Sequence, residues 1–182
     1  APVIYYAKEP GKIWSAGGNF NPLTLEIKNI REQSIHAAKG FETISVDFVT
    51  ACVVLLPGST FEQIGLIDDR FHAYYEDMDF AQRVKRLGLQ VRVVTDAHAW
   101  HKVSMSSGGS HTPNERYWMA RSSIRYFTKH SKWWQIPVII IYRLGSAIKM
   151  TLRLIFKRKY ASMRAYWQGL KDGIVENWFK SA

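Results

Sequence analysis

Glu76-Asp77-Met78-Asp79 lies between Phe71-His72-Ala73-Tyr74-Tyr75 and Phe80-Ala81-Gln82-Arg83, which sets three carboxylates among aromatics at the start of a basic helical stretch. A carboxylate beside aromatic surface loses hydration, and a second carboxylate nearby opposes double ionisation. Both effects raise at least one pKa toward the range in which a carboxylate takes a proton from a hydroxyl. The alternative is structural: Glu76 and Asp79 open a helix from Asp79 to Leu87, where acids complement the amino-terminal dipole and the exposed backbone donors.

The elements around the cluster read as an α/β arrangement. Glu42 to Leu56 is β-branched and apolar with little alternation, as in a strand buried on both faces, and Pro57-Gly58 ends it. Cys52 falls inside that run as a small core residue. Ser59 caps a short helix through Ile64, which Gly65 stops. Gly88 stops the acidic-cluster helix, and Gln90 to Thr95 forms a second strand, so the carboxylates sit on the rim of a sheet, where α/β enzymes place their sites. Gly17-Gly18-Asn19-Phe20-Asn21-Pro22 reads as a turn and Lys28 to Lys39 as loop. Ser104 to Pro113 is a Ser and Gly rich loop of the kind that closes over ligands, and Asn114 caps a helix to about Lys129.

Charge divides the chain. Thirteen of its 25 Lys and Arg lie between Arg116 and Lys171 with no Asp or Glu among them, leaving twelve basic against fifteen acidic residues elsewhere. A basic rear calls for an anionic partner: nucleic acid, phosphate groups or an acidic membrane surface. Pro137 to Lys159 is apolar at helical spacing, with Arg143, Lys149, Arg153 and Lys157 assigned to the opposite side. Those charges interrupt it too often for a spanning helix. It either lies in the headgroup plane, anchored by Trp133, Trp134 and Tyr142, or packs on the domain with its basic face in water. Tyr160 to Phe179 is one more amphipathic helix. We divide the chain at 131/132 into a catalytic-type part and a basic helical part. A single cysteine excludes an internal disulfide, and no export signal stands near Ala1, so a cytoplasmic protein, peripheral on the inner face of the plasma membrane, is expected.

From Trp14 to His130 the order of motifs resembles family-2 glycosyltransferases, inverting enzymes of the GT-A fold, and in particular their rhamnosyltransferase-like branch. The resemblance rests on Val46-Asp47-Phe48-Val49-Thr50-Ala51, Gly65-Leu66-Ile67-Asp68-Asp69-Arg70-Phe71, the acidic cluster followed by Arg83, and Ala99-Trp100-His101. It implies the carboxyl-terminal, acceptor-side half of a GT-A Rossmann-like fold, a small mixed sheet flanked by helices, followed by basic amphipathic helices. It implies that the metal-holding Asp-x-Asp half precedes this region in a longer enzyme, without which the chain is inactive. Asp77-Met78-Asp79 has the same letters but the position of the later base motif.

On this resemblance Asp77 is the catalytic base, Glu76 orients the acceptor or Asp77, and Asp79 is a helix cap. His101 matches a residue that completes a Mg²⁺ or Mn²⁺ site or touches the diphosphate. Trp14, Thr50, Tyr74, Tyr75, Trp100 and Ser106 are the expected substrate-binding residues, the aromatics because their faces suit sugar rings. The partners implied are a dTDP- or UDP-sugar donor and a glycan or lipid-linked acceptor of a cell-envelope polysaccharide. Ala51 stands where relatives often have Gly, and Ser122 where many have Asn. The rival readings are a nucleic-acid-binding module built on the basic rear and its aromatics, for which no recognised motif is present, and a non-catalytic scaffold.

Overall fold

The computed structural model describes residues 1–30, 42–103 and 109–179. The protein is mixed α/β, with a mixed sheet and helices, an arrangement compatible with a Rossmann-like fold. Its described residues form two compact units, one of residues 1–21, 26–68 and 77–103, the other of 22–25, 69–76 and 104–182.

The first unit is built on a four-stranded sheet in the order β2 (Glu9–Ser15), β1 (Pro2–Tyr6), β6 (Val91–His101), β5 (Thr43–Val46). β1 runs parallel to β6 and antiparallel to β2, and β5 runs antiparallel to β6. Val3, Ala16, Val46 and Val93 make its core, with Tyr5, Ile13, Ile44 and Val91 packed around them. These are largely the β-branched residues that suit a pleated buried surface. A second ladder pairs β3 (Gly18–Phe20) with β4 (Ile27–Asn29). The expected turn at Gly17-Gly18 is therefore the entry to a strand. Gly17 has φ +74°, and a Cβ there would meet the Phe48 carbonyl at 2.7 Å, so the position demands glycine.

Two expectations for this region are corrected. The strand expected from Glu42 to Leu56 ends at Val46, and Ala51-Cys52 is a turn, with Cys52 exposed rather than in the core. Val53 and Val54 are exposed and Leu55 is 93% exposed. The sheet partner that would make this apolar run a buried strand is not among the described residues. The second strand is longer than expected, reaching His101.

Helix α1 is Ser59–Ile64, with Gly58 rather than Ser59 at the cap; Gly65, at φ +76°, stops it as expected, its N–H donating to the Phe61 carbonyl at 2.8 Å. Helix α2 is Glu76–Arg86, three residues longer at its start than the sequence indicated, so all three carboxylates fall in its first turn. Gly88, at φ +69°, ends it.

In the second unit, α3 (Pro113–His130) is capped by Thr112, whose side chain accepts from the Glu115 N–H, two residues before the cap expected at Asn114. A 3₁₀ turn at Trp133–Gln135 leads into α4 (Ile136–Phe156), and α5 (Tyr160–Phe179) has the expected limits. α3 and α5 approach backbone to backbone through Gly169 and Gly173. A Cβ on Gly173 would meet the Arg121 carbonyl at 2.9 Å, and one on Gly169 would collide with the Tyr117 carbonyl. Beside that seam Arg121 and Arg125 pair with Glu176, and the Tyr117 hydroxyl donates to Asp172 at 2.9 Å.

Candidate functional site

The chain enters α2 through two consecutive residues with left-handed backbone, Tyr74 at φ +64° and Tyr75 at φ +67°. Bulky residues rarely adopt that conformation, and it persists only where surrounding structure holds it. The holding contacts lie within the second unit. Ser122 Oγ donates to the Ala73 carbonyl at 2.7 Å, and the Tyr75 ring packs on Tyr126 at 5.4 Å and Phe127 at 6.2 Å. Ser122 thus ties α3 to the turn preceding the acidic helix. Tyr75 is a packing residue here; both it and Tyr74 are half-buried.

In the first unit Asp77 accepts from the Met78 N–H at 2.8 Å and from the Thr50 hydroxyl and Ala51 N–H. Burial pushes its carboxyl above the usual carboxylate range, and these donors only partly offset that cost. Asp77 lines a cavity of about 300 Å³ whose walls include Val54, Leu55, Phe61, Ile67, Phe80 and Val84. It is the one acid among the lining residues, with Arg92 the one basic side chain. A carboxylate fixed by three donors at an apolar wall, with its ionised form disfavoured, can accept a proton from a hydroxyl placed in the cavity.

Two residues further on, Asp79 is 0% exposed and pairs with Arg83 at 3.0 Å. The Arg83 guanidinium also donates to the carbonyls of Ile64 at 2.6 Å and Leu66 at 2.9 Å, binding α2 to the end of α1. The expected role of Asp79 as a helix cap is corrected: it is the buried half of an ion pair. The Asp79 to Arg83 spacing of one helical turn was the signal for it. Asp47 likewise has a structural place, accepting from the Phe20 N–H and pairing with Lys85 at 2.7 Å.

Trp14, Trp100 and His101 lie on the sheet, Trp14 on β2 and the other two on β6. The Trp14 ring lies 4.5 Å from that of His101, and Trp100, 55% exposed, stacks on Tyr5 at 6.1 Å. Glu76 opens α2 and is half-buried. Ser106 lies outside the described residues. The structure therefore brings Thr50 and Asp77 together, and Trp14 and His101 together. Among the described residues no three His, Cys, Asp or Glu side chains lie close enough to hold a metal ion, so they do not make a metal centre by themselves.

Comparison with curated proteins gives a partial match. Over 107 residues, 59% of this chain, it is 27% identical to the N-acetylglucosaminyl-diphospho-decaprenol L-rhamnosyltransferase of Mycobacterium tuberculosis, in strains CDC 1551 / Oshkosh and ATCC 25618 / H37Rv alike. The match indicates a glycosyltransferase relationship. It covers 35% of the length of those relatives. No family model and no solved structure matches the chain.

Proposed function

We propose that this chain is the acceptor-side half of an inverting family-2 glycosyltransferase of GT-A type, with Asp77 as its general base. Asp77 takes the proton from an acceptor hydroxyl as that oxygen attacks the anomeric carbon of a nucleotide-sugar. The bond to the nucleotide diphosphate breaks on the opposite face, the diphosphate leaves with the bonding electron pair, and the configuration inverts. Thr50 and the Ala51 N–H hold the carboxylate, while Glu76 orients the acceptor.

Trp14, Tyr74, Trp100 and Ser106 stand as further acceptor contacts; Tyr75 is kept only as a support of the turn. The donor is a dTDP- or UDP-sugar, and the acceptor a glycan or lipid-linked glycan of the cell envelope. A Mg²⁺ or Mn²⁺ ion at the diphosphate would draw on ligands beyond those described, with His101 as a single contribution. No step here is routed through that ion. By this reading the chain needs a nucleotide-binding half to turn over.

The observation that carries the reading is the Asp77 carboxylate, raised by burial and held by three donors at an apolar cavity. Its test is Asp77→Asn in a protein that includes the nucleotide-binding half. Sugar transfer should fall by at least about 100-fold, the scale of general-base catalysis, with nucleotide-sugar affinity nearly unchanged. Wild-type turnover in that variant removes Asp77 from the base role.

A further inference from the structure

Helix α4 (Ile136–Phe156) turns most of its apolar face outward rather than packing it on the domain. It packs within its unit through Ile139, Ala147 and Leu154, which are buried. Arg143, grouped by sequence with the water-facing charges, also turns inward: its guanidinium donates to Ser123 Oγ at 2.9 Å and lies 4.9 Å over the Phe127 ring. Meanwhile Ile141, Leu144, Ile148, Leu152, Ile155 and Phe156 are exposed, Ile141 at 72%.

At about 100° per residue these six fall on one arc of about 120°, opposite the packed side, and Lys149 and Arg153 follow at its edge. Both are exposed. The strip continues onto α5 (Tyr160–Phe179), where exposed Trp167 donates from Nε1 to Thr151 of α4 at 3.1 Å. Exposed Arg164 and Lys171 lie beyond it on the same helix. At the head of α4 stands Trp133, 82% exposed. A contiguous apolar face of this extent marks an interaction surface and not ordinary exposure.

We propose that this face docks in the plane of an anionic lipid bilayer, with the apolar arc among the acyl chains and the basic borders at the headgroups. Charge complementarity decides the occupant. Basic side chains border the strip on both long edges, and no Asp or Glu occurs between Arg116 and Lys171 to oppose acidic lipid. A second copy of the chain would set these like-charged borders against each other. Crossing is not the mode, since among the described residues no helix is long and apolar enough to span a membrane. The exposed tryptophan at the head of the helix suits the interfacial layer, which combines an apolar and a wet side.

The test is co-sedimentation of the full chain with vesicles of phosphatidylcholine, with and without phosphatidylglycerol. Wild type should bind the phosphatidylglycerol vesicles at least about five-fold more tightly, the effect of even one basic side chain near an acidic surface. Ile141→Glu/Ile148→Glu/Leu152→Glu alters only exposed positions, so circular dichroism should be unchanged while vesicle binding falls at least about ten-fold. Lys149→Glu/Arg153→Glu should abolish the lipid preference and leave residual binding to both vesicle types.

Any of the following overturns the proposal: a wild type that ignores phosphatidylglycerol vesicles, a folded triple variant that binds as wild type does, or a solution dimer that the triple variant dissociates with no vesicle binding by either. Salt-sensitive capture of a single-stranded oligonucleotide without vesicle binding would likewise assign the basic rear to nucleic acid. Asp77→Asn should bind vesicles as wild type does, so docking and the base assignment fail or stand separately.

Discussion

The two sides of the first turn of α2 treat the same side chain in opposite ways. On one side Asp77 faces an apolar cavity, fixed by a hydroxyl and two backbone donors that cannot compensate its burial. On the other, Asp79 is fully buried but carries a guanidinium at 3.0 Å. Two residues of separation set the carboxylate proposed as reactive apart from the structural one, because only the second has a counter-charge. The proposed chemistry lies on the side that the fold leaves without a counter-charge.

Removing the counter-charge should break the contrast most forcefully. Arg83→Ala leaves Asp79 buried and unpaired and releases the carbonyls of Ile64 and Leu66, so unfolding free energy should drop by about 3 kcal/mol in urea denaturation. A drop of a few tenths would mean that the pair does not hold the helix. Ser122→Ala acts on the entry turn. Losing the hydrogen bond to the Ala73 carbonyl should cost about 1 kcal/mol, and Ser122→Asn, whose amide can also donate, should recover part of it. Equal stability of both variants would detach Ser122 from the turn.

Much of this was legible in the sequence, and the failures have physical causes. Gly65 and Gly88 marked helix ends correctly because a positive φ is a local demand that glycine meets cheaply. Motif order locates the acidic cluster, yet local pattern does not show that its helix starts three residues earlier, since the left-handed entry at Tyr74-Tyr75 is supported by contacts with Tyr126, Phe127 and Ser122, far along the chain.

Val53 to Leu55 depart from the expected buried strand because apolar pattern states what a segment would bury, not whether a partner is present to bury it; for the same reason the pattern leaves open whether the apolar face of α4 packs or lies outward. Arg143 was grouped with exposed charges because helical spacing alone cannot tell which of two polar flanks meets Ser123 and Phe127. Gly169 and Gly173, four residues apart on one helix face, are the signal in the sequence for the close seam with α3.

The smallest expected effect is also the most direct test of the Asp77 assignment. Because burial raises its carboxyl, the folded chain holds the Asp77 proton to higher pH than the unfolded chain does. Its contribution is therefore neutral in strong acid, and stability is lost as pH climbs from the ordinary carboxylate value through the raised one. Thermal unfolding of wild type and Asp77→Asn across that range should show equal stability in acid and a more stable Asn variant at neutral pH. An Asn variant less stable at neutral pH than wild type would mean that the donors around Asp77 outweigh its burial, and the carboxylate would then be a structural anion and not a base.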